Sequence, residues 1–442
     1  MKQLQCGAAQ RCITPDLGLF VPGYFEFRAA SGVKSDLYTQ ALVLENDGKL
    51  AVLISMDIIF CGAPWTAKIR KMISQKIGAD PESIMVSATH IHTGGPYHRK
   101  CWNGATDDKS RDMMIEKTVE AAIEAYETRV PVRFGYAKGE EKRISFRRHY
   151  RMTDGSIRTN PGRKFADQNE GPVGDIDYSV NVLRFENEAG KPIAEVVNFA
   201  CHPDTVGGTE YCADYPGEMR RILKETYGED VTVLFLNGPC GNINHIDGMR
   251  YKSDPDFVRY PADHYKWMGK CLAETVIGVN QTLKAEKTEA TIAYGKRVFR
   301  AERRQPTEKE IAWAKAVAAD PDAKYMDKTY ARQIDILVNK PMYAHNIEVQ
   351  AVRLGDCAFV GLPFETFAGT GLQIKAISPI ENTMVVAPCN DHKGYLPIEP
   401  VFSGGAGVYE SRLSTTNSCF YPETSDKSVA VAKELLESAA EK

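Results

Sequence analysis

The chain has 442 residues, 26% of them charged and 43% hydrophobic, with Lys+Arg 55 against Asp+Glu 58 and a formal net charge of -3. That balance argues against a dedicated nucleic-acid binder, which carries a basic excess, and no run reaches the roughly 18 apolar residues that span a bilayer. The length allows a large core, and two or three domains on length alone. The first ten residues have no apolar h-region and do not read as a secretory signal. The 11 cysteines are odd in number and contain no CxxC pair, which suits reduced thiols in a cytoplasmic protein better than a zinc ribbon or disulfide scaffold.

In chain order, Leu50 to Phe60 is almost continuously apolar and reads as a strand buried on both faces. Residues 64–77 read as a helix, Ser83 to Ser87 as a short buried strand, and residues 110–128 as an amphipathic helix. Residues 137–175, rich in Arg, Lys, Gly and Asp, interrupt that rhythm and look like a long surface excursion. A hairpin follows, with arms Tyr178 to Glu186 and Pro192 to Ala200, then a buried strand from Val231 to Leu236. Residues 261–284 predict a helix, 290–300 an alternating strand and 307–319 a solvated helix. A second hairpin runs from Asn346 to Leu362 around Gly355-Asp356; Thr383 to Ala387 is the last core strand, and 427–440 a terminal amphipathic helix. The expected fold class is α/β, a mixed sheet with helices on its faces and long inserted loops. With no repeat or linker, residues 1–442 read as one domain.

Four strand-like runs end in reactive groups. The first leads into His90 and His92, followed by Gly94-Gly95-Pro96. Side chains two apart on a strand share a face, so both imidazoles would project into one cleft. The others lead to His202, to Glu365 and to Asn390-Asp391-His392-Lys393-Gly394-Tyr395. Strand ends of an α/β sheet are where ligands bind, and two histidines with a carboxylate form a common catalytic zinc set. Each residue has a plainer reading too: a satisfied structural histidine, a helix-capping Glu365, a core Tyr395.

These segments resemble the neutral/alkaline, non-lysosomal ceramidase family of zinc amidases. Gly7-Ala8-Ala9-Gln10-Arg11-Cys12-Ile13-Thr14-Pro15 is similar to that family's first strand, and Ser87-Ala88-Thr89-His90-Ile91-His92-Thr93-Gly94-Gly95-Pro96 resembles its Ser-Ala-Thr-His-Thr-His-Ser-Gly-Pro motif. The resemblance spans residues 5–412 with the motifs in family order. It implies one Zn²⁺ per chain held by His90, His202, Glu365 and Tyr395, with His92 facing the substrate carbonyl, Tyr409 as a second active-site tyrosine and Arg147 on the substrate side. Phe364 replaces the glycine of the family's Pro-Gly-Glu motif. The family's catalytic serine falls on Asn244, and no C-terminal β-sandwich domain is expected.

The expected function is therefore a zinc-dependent hydrolase, with metal-activated water cleaving an amide (N-acyl) bond of a small soluble substrate other than ceramide. His92 and Tyr409 would donate to the oxyanion, and Asn244 would orient substrate. Arg147 and Arg148 could pair with an anionic group, or face solvent. Asp391 and His392 are candidates for proton movement. An ester, lactone or glycosidic bond, a cysteine hydrolase using Cys240, an amidohydrolase barrel (whose βα pattern the two hairpins spoil) and an inactive zinc-binding homologue are the alternatives. A small-molecule substrate is the expected partner, with no nucleic acid and no membrane span; homo-oligomerisation is left open.

Overall fold

The computed structural model describes residues 3–97, 106–254, 256–404 and 407–442. One mixed sheet is built from β1 (Gln5–Cys12), β2 (Tyr38–Asn46), β3 (Lys49–Met56), β4 (Ile84–Ala88), β5 (Val130–Glu140), β6 (Ser179–Asn187), β7 (Pro192–Phe199) and β8 (Thr232–Asn237), in the order β8-β7-β6-β5-β1-β2-β3-β4. A second sheet contains β9 (Ile292–Glu302), β10 (Ala344–Leu354), β11 (Cys357–Gly361) and β12 (Asn382–Val386), side by side in chain order. The longer helices are α1 (Ala63–Ile77), α2 (Asp108–Glu127), α3 (Asp214–Tyr227), α4 (His264–Asn280), α5 (Glu308–Ala319), α6 (Tyr325–Asn339), α7 (Ala368–Ile377) and α8 (Glu423–Ala440).

Pairing within both sheets is antiparallel except at three outer pairs: β3 with β4, β7 with β8, and β11 with β12. A parallel pair needs a crossover long enough to return the chain to the same end. The three crossovers carry α1, α3 and α7 respectively. They place the carboxyl ends of β4, β7, β11 and β12 where loops can meet.

Alternation along the strands sorts the core into layers. Leu42, Leu44, Leu53, Phe185, Leu234, Leu236, Phe359 and Met384 pack into one central cluster shared by both sheets. Their neighbours point outward. Val52 and Ile54 meet Ile69 and Ile73 of α1, and Val119 of α2 belongs to the same cluster. Val233 and Phe235 share a cluster with Met219 and Leu223 of α3 and Leu272 of α4. Val360 and Val385 lie with Leu435 and Leu436 of α8. Each fully buried aliphatic side chain contributes roughly 1.5–3 kcal/mol, so a one-residue register slip would move a whole row to the wrong layer.

Two expectations change. The strand read to Phe60 stops at Met56, because Asp57 turns the chain: its Oδ2 accepts from the Tyr38 amide at 2.9 Å and pairs with Arg220 at 2.5 Å. Residues 137–175 are not a bare excursion. Strand β5 continues to Glu140, and His149–Met152, Ile157–Thr159 and Asn169–Pro172 form a small three-stranded sheet. Among the described residues no helix is long and apolar enough to cross a membrane.

Candidate functional site

Strand β4 ends at Ala88, two residues short of His90. His90 itself is left-handed, with φ 71°. The i, i+2 alternation of a strand therefore does not bring His90 and His92 together; the turn at His90 does. A non-glycine residue in this region carries about 1–3 kcal/mol of strain unless its surroundings fix it. Here the His90 amide donates to Ile58 O at 3.0 Å, Asn237 Nδ2 donates to Thr89 O at 3.2 Å, and the His92 amide donates to Pro203 O at 3.2 Å. The two imidazoles meet edge to face with centroids 5.2 Å apart.

His202, three residues beyond β7, faces the same point: its Nε2 lies 3.1 Å from His90 Nε2. Glu365 arrives from beyond β11, with Oε2 3.3 Å from His90 Nε2 and 3.5 Å from His202 Nε2. Both histidines have their other nitrogen against a carbonyl. His90 Nδ1 donates to Ile59 O at 2.7 Å, while His202 Nδ1 lies 3.1 Å from Cys240 O and 3.2 Å from the Arg148 Nη2 donor. A neutral imidazole that donates from Nδ1 keeps only a lone pair on Nε2. Two imidazole nitrogens and a carboxylate oxygen thus converge within 3.1–3.5 Å of one another. A cation at their centre would take a lone pair from each. The edges of the cluster also match a tetrahedral face, which measures about 3.3 Å for zinc with ligand bonds of about 2.0–2.1 Å. The donor set fits zinc.

The electrostatics keep these groups ready. Burial would raise the Glu365 carboxyl, but His90 and His392 outweigh it and hold it well below its usual range. Burial, then the Arg148 charge, push His202 well below the ordinary imidazole value. His392 Nε2 donates to Glu365 Oε1 at 3.0 Å while its ring stacks on Phe60 at 4.1 Å, which fixes the carboxylate with Oε2 directed inward. Outer bonds of this kind orient metal ligands.

His92 completes a group of three histidines whose ligand nitrogens lie within 4.8 Å of one another. Its Nδ1 donates to Gly23 O at 2.8 Å, and its buried Nε2 has no hydrogen-bond partner among the described residues. Burial lowers its pKa. With Nδ1 donating to Gly23 O, the neutral ring leaves Nε2 as an acceptor facing the cluster.

Tyr395 reaches the cluster by register, since the short strand Tyr395–Leu396 pairs in parallel with Glu365–Thr366. Its ring stacks on His202 at 6.4 Å, and Arg148 Nη2 donates to its hydroxyl at 3.4 Å. Burial raises this phenol well above its usual range, with Arg148 pulling it back. Tyr409 packs edge-on against Tyr395 at 5.6 Å. Together with His90, His92, Glu365 and His392, both tyrosines line a cavity of about 330 Å³.

The two arginines part company. Arg148 is buried; besides Tyr395 it donates to Gly241 O at 2.6 Å, and its Nε pairs with Glu410 at 3.0 Å. Arg147, on the opposite face of the chain, donates to Gly174 O at 3.2 Å and does not line the cavity. Arg147 is thus corrected as the substrate-side arginine, because consecutive extended residues point opposite ways. Asn244 bonds elsewhere: Nδ2 donates to Asn160 Oδ1 at 3.1 Å and Oδ1 accepts from the Ile246 amide at 3.0 Å. Asp391 accepts from the Ala63 amide at the start of α1 at 3.0 Å and pairs with Lys393 at 2.7 Å, so it anchors a helix rather than facing His90, His202 and Glu365. Cys240 is buried, and burial pushes its thiol up to about 12, which leaves no thiolate at neutral pH. Sequence reasoning passed over His149 and Arg303. His149 Nε2 bonds Glu410 at 2.8 Å, and neither residue sits in a motif that announces it.

No protein-family model and no curated protein sequence matches this chain. Solved structures do. A neutral ceramidase from Pseudomonas aeruginosa superposes with a TM-score of 0.74 at 16% identity, covering 99% of this chain and 75% of that one. A ceramidase complexed with C2 gives 0.74 at 15% identity, covering 100% and 76%. The chain has a neutral-ceramidase-like α/β fold.

Proposed function

We propose that this chain is a metal-dependent hydrolase that cleaves an amide bond in a small soluble substrate. The observation that carries the reading is the convergence of His90 Nε2, His202 Nε2 and Glu365 Oε2 within 3.1–3.5 Å. Zinc would be held by these three groups with Tyr395, and when bound it supplies Lewis acidity and lowers the pKa of water towards neutrality. The amide preference draws on the fold, whose named neighbours are ceramidases.

The protein's own groups divide the remaining work. His92 Nε2, without a partner among the described residues and with its pKa lowered by burial, takes a proton from the attacking water. The Tyr409 hydroxyl, kept protonated because burial raises it, donates to the oxygen that gains charge as the carbonyl becomes tetrahedral. Arg148 holds Tyr395 and, through Gly241 O, the loop beneath His202. A cavity of about 330 Å³ with charged walls suits a small polar amide better than a two-chain lipid. The free cysteines among the described residues support a reducing, cytoplasmic setting.

A panel of N-acyl and ester substrates tests the reading. Amide turnover should vanish with a chelator, return with zinc and survive iodoacetamide. Turnover that ignores the chelator would reject the metal; ester turnover without amide turnover would reject the bond type.

A further inference from the structure

Four arginines are buried in this chain among the described residues: Arg70, Arg148, Arg220 and Arg303. Three have a carboxylate partner, Glu348 at 2.7 Å, Glu410 at 3.0 Å and Asp57 at 2.5 Å. Arg303, only 3% exposed, has none among the described residues. Its Nη1 donates to His345 Nε2 at 3.0 Å and to Met342 Sδ at 3.2 Å; its Nη2 donates to Thr415 O at 2.9 Å and Ser414 O at 3.4 Å. All of these acceptors are neutral. Its Nε is buried with no acceptor among the described residues. Isolated buried charge is costly, and proteins pair it.

The exception is also the one of the four that lines the cavity shared with His90, Glu365 and Tyr409. Lys393 lines the same cavity, partly neutralised by Asp391 at 2.7 Å. His345 adds no competing charge, since burial and then Arg303 and Lys393 push it down to about 4.

We propose that Arg303 is a specificity residue that binds a carboxylate of the substrate, so that the preferred substrate is a short N-acyl amino acid. The proposal rests on the hydrolase reading above. A guanidinium presents planar donors that match a carboxylate; both Nη atoms here already hold protein acceptors, so the carboxylate takes an Nη1 donor from Met342 Sδ, the weakest of them, in the same small cavity that holds the scissile amide. Hydrolysis then breaks the amide C–N bond; water oxygen bonds the acyl carbon, and the leaving amine takes the proton. The products are a carboxylate and a free amino acid.

The test compares N-acetylglycine with N-acetylglycinamide, by calorimetric binding and by kcat/KM. The wild-type protein should favour the acid by about tenfold or more, the usual scale of a charge-assisted hydrogen bond. Arg303→Gln should lose that preference, and Arg303→Lys should retain part of it. Equal affinity in the wild type overturns the proposal, as does an undiminished preference in folded Arg303→Gln. Should Arg303→Gln fail to fold, the wild-type pair and Arg303→Lys still decide. The two readings fail separately: a carboxylate preference in binding with no amide cleaved rejects the hydrolase alone, whereas equal cleavage of both amides rejects the carboxylate site alone.

Discussion

His90 Nε2 and His202 Nε2 stand 3.1 Å apart, although 112 positions separate them in the chain. Each is held by a carbonyl on its far side, Ile59 O for His90 and Cys240 O for His202. Glu365 Oε2 lies 3.3 Å from the first and 3.5 Å from the second, so the pair is arranged for a shared third body. The crossovers through α1 and α3 explain how it forms, because each returns its strand with the carboxyl end in the same direction.

The separation of the two adjacent arginines gives a first prediction. Arg148→Ala leaves Glu410 buried beside an empty guanidinium site and should destabilise by about 3–5 kcal/mol, with a loss of turnover in whatever folds. Arg147→Ala should change stability by less than about 0.5 kcal/mol and leave turnover intact. Denaturant melts and rates on the two variants check this; equal effects would contradict the assignment.

A second concerns pH. Burial would raise the Glu410 carboxyl, but His149 and Arg148 outweigh it and lower it from 4.5 to about 2. A carboxyl that titrates lower in the folded state stabilises fully above its unfolded value. That stabilisation is lost as pH falls through about 4.5 towards 2. Glu410→Gln should therefore be less stable than wild type at pH 7, by roughly 3 kcal/mol, and the gap should narrow below pH 4.5. A gap that is constant or widens on acidification would contradict this account.

Cys240 supplies a third. Its thiol is buried, accepts from Asn237 Nδ2 at 3.4 Å and is pushed up to about 12 by burial. Cys240→Ala should keep its turnover and lose about 1 kcal/mol of stability. Loss of activity in a folded variant would revive the cysteine hydrolase.

Much of this site could be read from the chain because strand ends announce themselves. His90, His202 and Glu365 each follow a short apolar run, and a run of that kind has few places to go except a buried strand. The hairpin between β6 and β7 was legible from Asn187-Glu188-Ala189-Gly190, whose Gly190 has φ 78°. Other features depend on partners far away in sequence. Whether Arg147 or Arg148 faces inward is set by the pairing of Phe146–Arg147 with Ile243–Asn244, which no local pattern encodes. The tautomer of His92 is set by Gly23 O, 69 residues away. Arg303 was invisible because its significance lies in a carboxylate it lacks. Helix α3 was missed although Tyr215, Met219, Ile222, Leu223 and Tyr227 recur at helical spacing, because Pro216-Gly217 in its first turn reads locally as a loop signal.

Metal content per chain is the most direct measurement. After exhaustive dialysis against zinc-buffered solution, elemental analysis should find about one zinc per wild-type chain and almost none in His202→Ala or Glu365→Gln, each still folded by circular dichroism. A wild-type chain that takes up no zinc, or variants that bind as much as the wild type, would contradict the claim that these three groups converge to hold an ion.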